Sequence, residues 1–232
     1  INTNYAMFTS HLFYSSPRHS LMFLVKNTAS DTFIVKEIFM DKDDKMATYR
    51  LSPSKIIPDM SKGYAYINFP NVNFVGENIV YNYPVESSIY TLNMRTNERK
   101  YILADSRYTS NIIEKCTTTG DYATLEKHWL EPPHFYDVMY LPKYKIYARL
   151  HADKVDFDEK KGVEKLINER DLYLMLFDEH MEKIGEMKLS NCRYSPFTSW
   201  NATYGGIAFF VDNILDEKND TDDLTIDMIF LK

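Results

Sequence analysis

The chain predicts an all-β fold, a β-propeller of four-stranded antiparallel blades, and three observations carry that expectation. The first is a cadence of short strands and turns. Phe135–Tyr140 and Ile146–His151 flank Leu141-Pro142-Lys143-Tyr144-Lys145, and Leu172–Phe177 and Ile184–Leu189 flank Asp178-Glu179-His180-Met181-Glu182-Lys183. Two adjacent hairpins of this kind make one meander, the unit of a propeller blade. The second is composition: 18 Tyr and 14 Phe, within an apolar share of 44%, suit pleated half-buried surfaces better than a helical bundle. The third is length, since 232 residues suffice for one large all-β domain with a sizeable core.

Taken in order, the first blade uses strands near Met7–Tyr14, Ser20–Val25, Thr32–Met40 and Met46–Leu51, separated by turns at Ser16-Pro17-Arg18, Asn27–Asp31 and Asp41–Asp44. The second uses Tyr64–Phe69, Asn78–Tyr83, Ser88–Met94 and Glu98–Leu103, with hairpin turns at Pro84-Val85-Glu86 and Arg95-Thr96-Asn97. Ile79, Tyr81 and Tyr83 alternate with Val80 and Asn82, the period of a strand. An insertion, 104–133, then breaks the rhythm. Within it Asp121–Leu130 predicts a short helix, with Asp121 as N-cap, Leu125 and Trp129 on one face, and Pro132-Pro133 as the stop. A long insertion between blades is expected to lie over one mouth of the ring. Asp153–Arg170, inside the third blade, is dense in charge and reads as a mobile loop. Phe197–Asn201, Gly206–Val211 and Leu224–Leu231 supply three strands of a last unit. Residues 1–232 thus read as a single propeller domain of about four blades, or as the C-terminal part of a larger ring closed by strands from elsewhere in a longer protein.

Composition excludes several functions. A net charge of −6 leaves no basic excess to neutralise phosphates, so no nucleic-acid partner is expected. Leu21–Val25 and Ile207–Val211 are far too short for a transmembrane segment. The chain opens at Ile1 with no signal-like segment, so localisation is not legible from its start. Cys116 and Cys192 form no zinc or redox motif; two free thiols are the expectation, with a disulfide open in an oxidising compartment.

The wording of the third blade adds a resemblance. Tyr136-Asp137-Val138-Met139-Tyr140-Leu141-Pro142-Lys143-Tyr144-Lys145-Ile146-Tyr147-Ala148-Arg149 and Leu174-Met175-Leu176-Phe177-Asp178-Glu179-His180-Met181-Glu182-Lys183-Ile184-Gly185-Glu186 resemble a Bacteroidales family of domains of unknown function, family 4221. Gly76–Pro84 with Ile89–Asn93 is similar to blades of the same group, and the likeness runs from about Gly63 to the C-terminus. It implies a six-bladed propeller lipoprotein of the cell envelope, periplasmic or outer-membrane, with an N-terminal lipid anchor and further blades lying outside this chain. It brings no catalytic residues. His180-Met181 and the acidic stretch after Asp212 depart from the family wording.

No motif for chemistry emerges. There is no glycine-rich phosphate loop, no Gly-x-Ser-x-Gly elbow, and Ser195 beside Pro196 has no motif linking it to a histidine. His11, His19, His128, His134, His151 and His180 lack metal-ligand spacing, although His128 and His134 flank one insertion and could converge. The carboxylates around Asp216–Asp223 and Asp153–Glu159 lack the EF-hand pattern and read as solvated loops. No cofactor and no metal are expected. If a ring mouth binds a protein or carbohydrate ligand, the candidates are Trp129, Tyr136, Tyr147, Arg149, His151 and Trp200. Aromatic rings offer flat apolar area and arginine a fixed donor fork, suited to sugar rings or peptide segments. The structural alternative is that these aromatics pack between blades and Arg149 pairs with a carboxylate. The expected function is a non-enzymatic binding or scaffolding module; the alternative is a lyase or hydrolase with a carboxylate/His site at the mouth.

Overall fold

The computed structural model describes residues 5–27, 30, 32–41, 45–57, 59, 63–116, 120–196, 200–218 and 223–231. Four antiparallel sheets follow one another along the chain, each a meander of sequential strands. The first holds β1 (Tyr5–Ser15), β2 (Ser20–Asn27), β3 (Thr32–Phe39) and β4 (Met46–Arg50). The second holds β5 (Asn71–Val75), β6 (Asn78–Asn82), β7 (Ile89–Asn93) and β8 (Arg99–Ile102). β9 (His134–Leu141), β10 (Ile146–Ala152), β11 (Leu172–Phe177) and β12 (Lys183–Lys188) form the third, and β13 (Trp200–Ala202), β14 (Ile207–Phe210) and β15 (Ile226–Ile229) the fourth, which has three strands among the described residues. The turn residues 28, 29, 31 and 42–44, the strand onset at 197–199 and the acidic positions 219–222 lie outside the described residues.

The side-chain period of two explains how the sheets stack. On β6 and β7, Ile79, Tyr81, Tyr90 and Leu92 join a core with Met22, Leu24, Phe33 and Val35 of the first sheet. Their alternates Val80 and Ile89 turn the other way, onto Val138, Tyr147, Met175 and Phe177 of the third sheet. The third sheet in turn sends Ala148, Leu150, Ala152, Leu172 and Leu174 to Trp200, Ile207 and Phe209 of the fourth. Strands buried on both faces read as nearly continuous apolar runs, which is why Leu172–Phe177 carries no polar alternation.

Three expectations need correction. Tyr64–Phe69 is not a strand: Ala65–Asn68 closes a 3-10 turn, with the Ile67 N–H donating to the Tyr64 carbonyl at 3.0 Å. The strand is the asparagine-rich stretch that follows it, and Gly76, at φ 60°, makes the tight turn into β6 that a side chain would resist. Asn71 and Asn73 face the third sheet because their amides donate to the Phe135 and Val138 carbonyls, at 3.0 Å each. The charged 153–170 segment is no simple loop either. It contains α2 (Val163–Asn168), whose Leu166 and Ile167 are buried against Leu130 and flanked by Val155, Phe157 and Val163. Its apolar residues at i, i+3 and i+4 form a helical stripe that the surrounding charges obscure. The third correction is to the end of the first sheet, where β3 stops at Phe39 and Met40 belongs to the turn.

In the earlier insertion, α1 (Tyr122–Leu130) starts at Asp121, whose carboxylate accepts the Thr124 N–H at 3.1 Å. Neither Cys116 nor Cys192 is joined in a disulfide. No helix among the described residues is long and apolar enough to cross a membrane.

Candidate functional site

Both helical insertions converge where β9 begins. α1 ends there with Trp129 and Leu130, α2 supplies Ile167, and Arg170 follows two residues after that helix. With His134 and Tyr136 of β9 and Pro196 from the connection to the fourth sheet, they line a recess of ≈ 190 Å³. Tyr136 reaches this side of the sheet through a β-bulge. Val138 pairs with Arg149 and Phe135 with His151, so two residues, Tyr136 and Asp137, stand opposite Leu150 alone. The extra residue shifts the alternation, and Phe135 and Val138 both face the second sheet while His134 and Tyr136 face the recess. The bulge also disrupts the ladder at the Phe135 carbonyl, which accepts instead from Asn71 and Asn82.

Arg170 dominates the recess electrostatically. It is 7% exposed; its Nη2 donates to the Leu130 carbonyl at 2.5 Å and to the Pro132 carbonyl, closing the C-terminal end of α1. It also hydrogen-bonds Tyr136, while its Nε–H has no acceptor among the described residues. Burial pulls the guanidinium below its ordinary value, and Tyr136 and Asp153 oppose that shift. Burial, reinforced by the Arg170 charge, lowers His134 to about 3, so its imidazole is neutral. The Tyr136 phenol is pushed up by burial and stays protonated. The recess therefore offers one cation, neutral hydroxyl and imidazole groups, and an indole wall.

Arg149 and His151 lie elsewhere, on the face of β10 that meets the second sheet, and both are 0% exposed. Arg149 donates to the Ser87 carbonyl at 2.5 Å and the Ala104 carbonyl at 2.7 Å, and stacks over Phe135 at 4.7 Å. Burial brings it down to about 9, against the opposing pull of Glu186, Asp105 and Glu86. His151 lies between the rings of Phe135 and Tyr173, at centroid distances of 5.5 and 5.1 Å. Its Nε2 is 3.0 Å from Ser106 Oγ and 3.4 Å from Glu186 Oε1. The Ser106 hydroxyl donates to Glu186 at 2.6 Å, so the imidazole carries its proton on Nε2 and Nδ1 is left without a partner. A serine nucleophile needs the opposite arrangement, with its proton accepted by the imidazole.

The remaining candidates also separate. Tyr147 lines a polar groove of ≈ 370 Å³ with Asn78, Thr91, Lys100, Glu179 and His180, at the rim between the second and third sheets. Trp200 is 7% exposed and stacks on Phe209, inside the core of the third and fourth sheets. His128 bonds the Glu114 carbonyl at 2.7 Å and meets the edge of Tyr64, so it does not converge with His134. Of the six residues named from sequence, Trp129 and Tyr136 come together in one cavity.

A member of the DUF4221 family from Bacteroides vulgatus, a solved structure, matches with a TM-score of 0.69 at 11% identity. This chain shares its fold with that DUF4221 protein. The match covers 95% of this chain and 63% of the DUF4221 structure, so the chain spans less than two thirds of the neighbour's length. The family that the third-blade motifs resemble is the family of this neighbour. An acylaminoacyl peptidase from Pyrococcus horikoshii matches with a TM-score of 0.47 at 11% identity, over 96% of this chain and 33% of the peptidase, a likeness too slight to argue from. No family model and no curated protein matches the sequence.

Sequence reasoning missed Arg170, Ile167 and the part His134 plays beside Tyr136. The available signal was the apolar pair Leu166-Ile167 shortly before an arginine that stands two residues ahead of a strand. That pattern places Arg170 beside a buried helix face, although nothing in it says that α1 arrives at the same place.

Proposed function

We propose that this chain is a non-enzymatic module of β-propeller type from a cell-envelope protein, and that it binds a ligand in the recess between α1, α2 and β9. The recess carries the reading: Trp129 and Tyr136 give it aromatic walls, and Arg170 gives it a buried guanidinium whose Nε–H has no acceptor among the described residues. The propeller reading is supported by successive meanders that stack face to face in chain order, and by the shared fold. The cell-envelope setting and a lipid anchor rest on the family resemblance. The binding reading is favoured over a lyase or hydrolase because the buried Ser106–His151–Glu186 group directs its hydroxyl proton away from the imidazole.

The test is a thermal-shift screen of glycans, peptides and small metabolites, followed by Trp129→Leu. A ligand that binds only the native state raises its apparent stability by mass action. The expected result is a stabilising ligand whose effect disappears in Trp129→Leu. A screen with no stabilising ligand, or ligands indifferent to that substitution, would overturn the recess as the binding site.

A further inference from the structure

Granting the recess as a ligand site, we infer that its ligand is a small organic monocarboxylate, held by its carboxylate on Arg170 and by a flat or apolar body against Trp129. The first support is an unbalanced charge. Among the described residues no carboxylate stands within ion-pair distance of Arg170, whereas Arg18 and Lys161 each have one and Arg193 has two. Asp153 acts on Arg170 only at longer range. A buried guanidinium without a counter-ion is unfavourable unless further partners complete it. Capping α1 occupies Nη2 alone and leaves the Nε–H without an acceptor among the described residues, so the helix-capping role does not exhaust the group.

The second support is the character of the walls. Among the described residues no acidic side chain lines the cavity, and Leu130, Ile167 and Pro196 face it beside the indole. A ligand completing Arg170 therefore meets apolar surface immediately beyond its charged end. The Tyr136 hydroxyl, which accepts from Arg170, has its own proton to donate to a second carboxylate oxygen.

The third support selects carboxylate over phosphate. α1 points its C-terminal end, the negative pole of the helix, at this recess. One guanidinium beside that pole balances a single negative charge, and among the described lining residues there is no lysine or helix N-terminus to hold a dianion. Arginine presents a planar fork whose geometry matches a carboxylate. At ≈ 190 Å³ the cavity suits a ligand of one ring or an equivalent end group.

The experiment is a titration of the full chain with benzoate, with benzamide as its uncharged near-isostere, and with inorganic phosphate, read by tryptophan fluorescence and calorimetry. Benzoate is expected to bind about tenfold or more tightly than benzamide, the ratio for one charge-assisted hydrogen bond, with phosphate weaker than benzoate. Trp129→Leu should weaken benzoate and benzamide together, and Arg170→Gln should abolish the preference between them. If Arg170→Gln fails to fold, the ratio in the unaltered protein decides. Benzamide binding as well as benzoate, with both sensitive to Trp129→Leu, would overturn the carboxylate inference and keep the recess as a ligand site. Failure of benzoate to bind would overturn the inference, and a silent ligand screen beside it would remove the recess as well. Tighter binding of phosphate would replace the carboxylate with a phosphate ligand.

Discussion

At the scale of the residue, the interface between the second and third sheets depends on two cationic-type side chains held in different protonation states. Arg149 supplies donors to two backbone carbonyls, from Ser87 and Ala104, that lie just outside β7 and β8. Replacing a buried ion with a hydrophobe is often neutral, but here it would leave those carbonyls unpaired. Arg149→Met is expected to cost about 2–4 kcal/mol in urea unfolding; an unchanged midpoint would show that it does not pin the sheets. His151 is lowered to about 3, by burial first and then by the charges of Arg149 and Lys183. The unfolded imidazole, near 6.5, takes up a proton that the folded one refuses. Stability is therefore complete above pH 6.5 and is lost as pH falls toward about 3, with a slope approaching one proton. His151→Phe, which keeps the stack between Phe135 and Tyr173, should flatten the stability profile relative to the unaltered protein across pH 4–6.5. Parallel profiles for the two proteins would contradict the neutral histidine.

At the scale of the element, local chemistry decides where strands turn. Asn93 Oδ1 accepts the Arg95 and Thr96 N–H groups at 3.0 and 2.9 Å, and Asn97 takes the left-handed φ of 59°, so the sequence Asn-x-x-x-Asn closes the β7–β8 hairpin. Asp178 does the same before β12 through the His180 and Glu182 N–H groups. Both turns are legible from sequence. Gly206, at the entry to β14, is required for space: a Cβ there would stand 2.5 Å from the Ile229 carbonyl oxygen of β15. Because the obstacle is backbone, it cannot swing aside. Gly206→Ala is expected to destabilise by about 1–3 kcal/mol, with increased amide exchange in β14 and β15 before the other sheets. Uniform exchange with no loss of stability would mean that the strand pair shifts freely.

At the scale of the whole molecule, each internal sheet contributes both of its faces, so removing one large side chain should be felt across a boundary. Phe177 is fully buried on β11 and lies in the cluster that joins Val80 and Ile89 of the second sheet to Val138 and Met175 of the third. Phe177→Ala is expected to cost about 3–5 kcal/mol. It should lower hydrogen-exchange protection in β6 and β7 as well as in β10 and β11. Loss of protection confined to the third sheet would indicate that the sheets unfold as separate units.

The sequence by itself determined the class of fold, because strand period, turn residues and aromatic content are local properties, readable wherever Ile79-Val80-Tyr81 or Leu172–Phe177 alternates or runs apolar. It determined the α1 helix for the same reason, through a cap and an apolar face within ten residues. It misplaced β5, because Asn71 and Asn73 look like loop residues until the Phe135 and Val138 carbonyls from another sheet are set beside them. It hid α2, because the helix buries its stripe against α1 and the distant-looking Val155 and Phe157, while the surrounding residues are charged. The candidate site was legible in part: Trp129 and Tyr136 were named, while Arg170 was marked only by its place after the Leu166-Ile167 pair. Tertiary structure alone decided that Arg149, chosen for the same donor fork, serves buried carbonyls inside a sheet interface, and that Arg170, which also serves two carbonyls, lines a cavity. The physical reason is that an arginine's role depends on which acceptors surround it, and those acceptors come from segments tens of residues apart.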